Sequence, residues 1–157
     1  MAKRSARTRK IGNRMDYYAK SKEARAEALK VADFYKEKPL RFIIDNVIKM
    51  DIEVTKSDIK TIVSKNSNDD EFNFIKNKEA KDIRGFIKKA KYEGWSKIKD
   101  GKHIESAYFV YYSKKKKRKM ILCIRKIIKT GRYKPYAIVD NETFKHDVST
   151  IKKGTPE

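Results

Sequence analysis

The sequence predicts an α+β domain: N-terminal helices, then an amphipathic helix packed on a small antiparallel sheet, with a flexible basic N-terminal arm. Three observations predict it. Apolar residues are 39% of the 157, among them nine Tyr, seven Phe and one Trp, enough for one core of ordinary domain size. Apolar residues recur at three- and four-residue spacing in the first two thirds of the chain. Beyond Gly101, aromatic and β-branched runs alternate with turn residues to near the end. The predicted boundaries are an arm at 1–18, a single α+β domain at 19–150 and a frayed tail at 151–157.

The first fifteen residues hold six basic side chains and no acidic one, which predicts the arm. From Lys20 the pattern turns helical: Ala24, Ala28, Val31, Ala32, Phe34 and Tyr35 share one arc, and Pro39 ends the helix. The run LRFIIDNVIKM fits a short helix or a strand, and helix is preferred. Residues 59–64 are β-branched and read as the first strand, followed by a polar loop at 66–70. The strongest helical pattern covers 76–93, with Ala80, Ile83, Phe86, Ile87 and Ala90 on one stripe and Lys81, Arg84, Lys88 and Lys91 in an arc beside it. SAYFVYYS and KMILCIRKII then form a hairpin around KKKKR. RYKPYAIVD supplies a further strand, and its Pro135 argues for an edge.

Lys plus Arg outnumber Asp plus Glu by 41 to 21, a formal net charge of +20. Segments 1–38, 39–74 and 75–157 carry 12 basic and 5 acidic, 5 and 7, and 24 and 9 residues, or +7, −2 and +15. Charge gathered at the two ends points to an extended polyanion as partner. With one Cys and two His, no disulfide framework and no Cys/His metal site can be written, and a reducing, cytoplasmic setting is expected. No apolar run is long enough to span a membrane, and the basic N-terminus lacks the apolar stretch of a secretory signal. Phosphate-binding Gly loops, HExxH, EF-hand and GxSxG patterns are missing, so no cofactor and no metal are expected.

Metal-independent RNA cleavage needs an acid, a base and cations for the phosphorane. His103, Tyr111, Arg125 and Lys126 are of the right types. The tyrosines suit strand packing equally well, and His103 follows a turn. In 120–127 both strand faces are largely apolar, which predicts a central strand covered on both sides. Binding alone asks less, because Tyr and Arg on a sheet can stack bases while Lys and Arg neutralise phosphates. The phosphate contacts expected are Arg4, Arg7, Arg9, Lys10 and Arg14 in the arm, Lys81, Arg84 and Lys88 on the helix, Lys114, Lys115, Lys116, Lys117 and Arg118 in the hairpin, and Arg132.

The run from 59 to 139, with IKTIVSKNS, KEAKDIRGFIKKAKY, SAYFVYYSKKKKRKMILCIRKI and YKPYAIVD, resembles the barnase/EndoU/colicin E5/RelE-like domains of phage and other mobile elements. The resemblance lies in the order of elements over about half the chain. It implies a helix-plus-sheet fold that binds RNA and, in active members, cleaves it without metal. The leading expectation is thus a nucleic-acid-binding protein of a mobile element, RNA favoured, gripping phosphates with the arm and the Lys-rich hairpin. Two further readings stay open: a metal-independent ribonuclease, and an inhibitor that binds a host nucleic-acid-guided defence ribonucleoprotein. Oligomeric state is left open, as is whether 40–50 offers a partner surface.

Overall fold

The computed structural model describes residues 6–45, 47–98, 101–113, 118–141, 144, 151–154 and 156, with 6–15 and 104 described in backbone alone. The order is α1 (Ala6–Phe34), β1 (Leu40–Asp45), β2 (Lys49–Val54), α2 (Lys56–Ser64), α3 (Asp70–Ala80), α4 (Ile83–Lys89), β3 (Lys91–Lys97), β4 (His103–Ser113), β5 (Arg118–Ile127) and β6 (Tyr133–Asp140). The α+β class is as expected. The strands form one six-stranded sheet in the order β1-β2-β6-β5-β4-β3, antiparallel except for the β2–β6 pair.

Helix α1 corrects the arm. From Ala6 on, the segment expected to be flexible is helical, because Arg, Lys and Ala are good helix formers and no Pro interrupts them before Pro39. Ala24, Ala28 and Ala32 are buried as the spacing predicts, and their small side chains let α1 lie close to its neighbours. Residue Arg4 lies outside the described residues.

The helix expected at 40–50 is instead the β1–β2 hairpin. Its second strand decides the matter: Met50, Ile52 and Val54 are buried and alternate with Lys49, Asp51 and Glu53, a period-two pattern that a helix cannot bury. The strand expected at 59–64 is helix α2. Thr55 and Asp58 form a capping box, the Asp58 amide donating to Thr55 Oγ1 at 3.3 Å and the Thr55 amide to Asp58 Oδ2 at 2.8 Å. Ile59, Ile62 and Val63 then fall on one buried face.

The helix expected at 76–93 breaks after Lys81. Asp82 caps α4, accepting from the Gly85 amide at 2.9 Å, and 91–97 leave the helix as β3. The apolar stripe is nonetheless right: Ala80, Ile83, Phe86 and Ile87 are buried on both sides of the break, in one core with Met120, Leu122 and Ile124. The hairpin of β4 and β5 forms as expected, with its tip, Lys114 to Lys117, outside the described residues.

Strand β6 corrects the edge position, for it lies between β2 and β5. Pro135 is tolerated because β2 pairs with β6 only at Ile52 opposite Tyr133, and because the β5–β6 register shifts between Ala137 and Pro135. The shift leaves Tyr136 as the extra residue of a bulge. The tail is corrected in part. Lys152 exchanges two backbone hydrogen bonds with Trp95 on β3, at 2.9 and 2.8 Å, and Tyr92 Oη donates to the Gly154 carbonyl at 2.7 Å. Gly94, at φ 145°, makes this approach possible, since a Cβ there would stand 2.5 Å from the Lys152 carbonyl oxygen.

Candidate nucleic-acid interface

Successive residues of β5 point to opposite faces of the sheet. Met120, Leu122 and Ile124 are fully buried against the helices. On the other face Ile121 is also buried, but Cys123 and Arg125 are half-buried and line a cavity of about 730 Å³. The expectation of a strand covered on both sides therefore holds near Ile121 and fails toward Arg125.

Further elements converge on this cavity, β3 among them with Ser96 and Lys97. β4 supplies Ser106 and Tyr108; β6 supplies Tyr136 to Asp140; the loop after α2 supplies Lys65, Asn66 and Ser67. The loop is fixed from behind by α3. Asn73 donates to the Ser67 carbonyl and accepts from its amide, both at 2.9 Å, while the buried Lys76 ammonium donates to the Lys65 carbonyl. Burial, with Lys65 and Arg25 nearby, pushes the Lys76 amine down to about 8. On the far side Ser96 and Tyr108 share a hydrogen bond at 2.5 Å, and Phe144 stacks edge-on to Tyr108 with centroids 5.0 Å apart.

The bulge aims Tyr136 at the centre of this arrangement. The Arg125 guanidinium lies 3.5 Å from its ring centroid and the Lys65 ammonium 3.9 Å. His103 meets the same ring edge-on at 6.4 Å. Among the described residues that line the cavity, Lys65, Lys97 and Arg125 stand against one carboxylate, Asp140, and this set favours an anion.

Of the four residues expected to act in cleavage, His103 and Arg125 thus come together through Tyr136. The other two do not join them. Tyr111 packs on Phe86 on the helix-covered face, with the Lys89 ammonium 4.5 Å from its ring. Lys126 lies 3.8 Å from the buried Glu105, which also accepts from Tyr133 Oη; burial and that carboxylate raise the Tyr133 hydroxyl pKa well above its usual range.

Several expected phosphate contacts are neutralised within the fold. Arg118 pairs with Asp69 at 2.5 Å and with Glu71 at 3.7 Å. Burial alone would raise Asp69; the Arg118 guanidinium and the Phe72 amide outweigh it and hold the carboxyl below its usual range. Arg132 pairs with Glu53 at 3.2 Å, and Lys81 with Glu27 at 3.3 Å. Arg84 lies 5.5 Å from the Phe42 ring and Lys88 is exposed, so the basic arc of 76–93 survives only as this short stretch of α4. Arg7, Arg9, Lys10 and Arg14 lie on the first turns of α1, where the backbone alone is described.

Lys65 and Lys97, absent from the sequence-based candidates, are the cations the fold adds to Arg125. Arg125 itself was legible as a charge in an otherwise apolar register. Comparison with known proteins finds no matching family model, no matching curated protein and no matching solved structure. The site therefore has to be read from its own chemistry. Among the described residues no cluster of three or more His, Cys, Asp and Glu could hold a metal ion, and no helix is long and apolar enough to cross a membrane.

Proposed function

We propose that this protein binds nucleic acid, with single-stranded or looped RNA favoured over duplex DNA, in the cavity around Tyr136. The carrying observation is the ring of Tyr136 held between Arg125 and Lys65 in a cavity whose described lining has three cations and one carboxylate. Cations beside an aromatic ring suit an unstacked base and its phosphate, and a cavity admits a splayed nucleotide where it excludes a stacked duplex. The net charge of +20 supplies attraction at longer range. A cytoplasmic setting and a mobile-element source belong to the same reading, through composition and the resemblance in element order.

The test is a gel and filter-binding series with structured RNA, single-stranded RNA and duplex DNA at two salt concentrations with EDTA present. Retention of RNA over duplex DNA supports the reading. Equal, weak retention of all three, or none, overturns it.

A second reading has one observation in its favour: His103 and Arg125 meet at the same ring, so a titratable imidazole and a phosphate-stabilising cation are neighbours. EDTA-resistant RNA fragments that vanish on His103→Ala while binding is retained would make the protein a metal-independent ribonuclease.

A further inference from the structure

The two ends of the sheet are treated differently. At β3 the edge is covered by 151–154 through the paired hydrogen bonds of Trp95 and Lys152. At the other end β1 is bonded to β2 on one side, and among the described residues no other backbone hydrogen bond reaches Leu40–Asp45. Its register with β2 runs unbroken through all six residues, with no Pro and no bulge to blunt it. Ile43, at the middle of this edge, is 63% exposed.

We infer that two copies of this chain associate through the outer edge of β1, pairing antiparallel about a two-fold axis at Ile43. This inference is independent of the nucleic-acid reading. The segment is self-complementary about that point: Ile43 meets its own copy, Phe42 lies opposite Ile44, and Arg41 lies opposite Asp45 of the second copy, twice over. Arg41 is held 3.3 Å from Asp51 of its own chain with half of its side chain exposed, which leaves it pre-aimed and able to bridge both carboxylates.

Charge selects the same surface. The β1–β2 hairpin carries Arg41 and Lys49 against Asp45, Asp51 and Glu53, so it holds none of the excess that gives the chain +20. It is the face on which two strongly cationic molecules can approach. Repulsion between the remaining surfaces is screened by salt, so this association strengthens as salt rises, the opposite of binding to a polyanion.

The experiment is sedimentation velocity on the nuclease-treated full-length protein over a dilution series at low and high salt. A dimer whose fraction rises with both concentration and salt is expected. Ile43→Lys and Ile43→Asp, each at an exposed position and checked for unchanged circular dichroism, are expected to be monomeric alone and dimeric when mixed in equal amounts. A wild-type protein that stays monomeric at its highest soluble concentration, a dimer that persists in both variants, or a mixture that remains monomeric would overturn the proposal.

Discussion

Arg125 and Lys65 both lie over the Tyr136 ring, and in the proposed reading the contributions of the three separate by variant. Tyr136→Ala removes the ring that Arg125 and Lys65 flank and frees both cations to move, so in the proposed reading it is expected to weaken RNA binding several-fold, read from filter-binding isotherms at fixed salt. If Arg125 neutralises a phosphate as proposed, Arg125→Gln weakens binding and also makes its salt dependence shallower. Lys76 acts from behind the site and has its own signature. It is 1% exposed, and its amine titrates near 8 when folded, against an ordinary value of 10.5. Between those values the unfolded chain binds more protons than the folded one, so stability rises with pH across that window and the cost of burying the charge is fully present below it. Melting temperature should therefore climb between about pH 8 and pH 10, and Lys76→Met should flatten the climb. The sequence disclosed these residues unequally. Arg125 stands out as a charge among Ile121, Cys123 and Ile127. Tyr136 owes its position to a bulge, and Lys65 to a loop tied down by Asn73 and Lys76, and neither dependence leaves a periodic trace.

Elements were legible where one periodicity was unbroken and illegible where partners decided. β4 and β5 could be read because aromatic and aliphatic residues run long between turn residues. The 40–50 run was ambiguous until β2 supplied an alternating partner, and Ile43 points outward although its composition suggests a core position. In α2 the β-branched residues argued for a strand, whereas the Thr55–Asp58 box and the three- and four-residue spacing of Ile59, Ile62 and Val63 argued for a helix, and capping with burial prevailed. Thr55→Ala tests that balance, with an expected destabilisation of about 1 kcal/mol in urea unfolding. Asp58 does not add a simple charge effect there. Its burial raises the carboxyl pKa against the opposing pull of the Thr55 amide and of Lys134, 3.3 Å away, so its contribution to stability grows as pH falls through the raised value.

Across the whole molecule, positive charge sits on α1 and the C-terminal half while the β1–β2 hairpin carries almost none of it. α1 places Arg7, Arg9, Lys10 and Arg14 on continuous helix, so alanine at these four positions keeps the helix propensity while removing charge. If they touch a single-stranded backbone, the slope of log affinity against log salt becomes shallower by about 0.7 for each phosphate no longer neutralised. An unchanged slope would take α1 out of the interface. The C-terminal strap carries a different consequence. The chain's one tryptophan, Trp95, is 6% exposed, and the strap is bonded to its backbone while the Lys152 ammonium lies 5.2 Å from the indole. Peeling 151–154 from the sheet would wet that indole and shift its fluorescence to longer wavelength, so the protein carries its own optical gauge of whether this edge is closed.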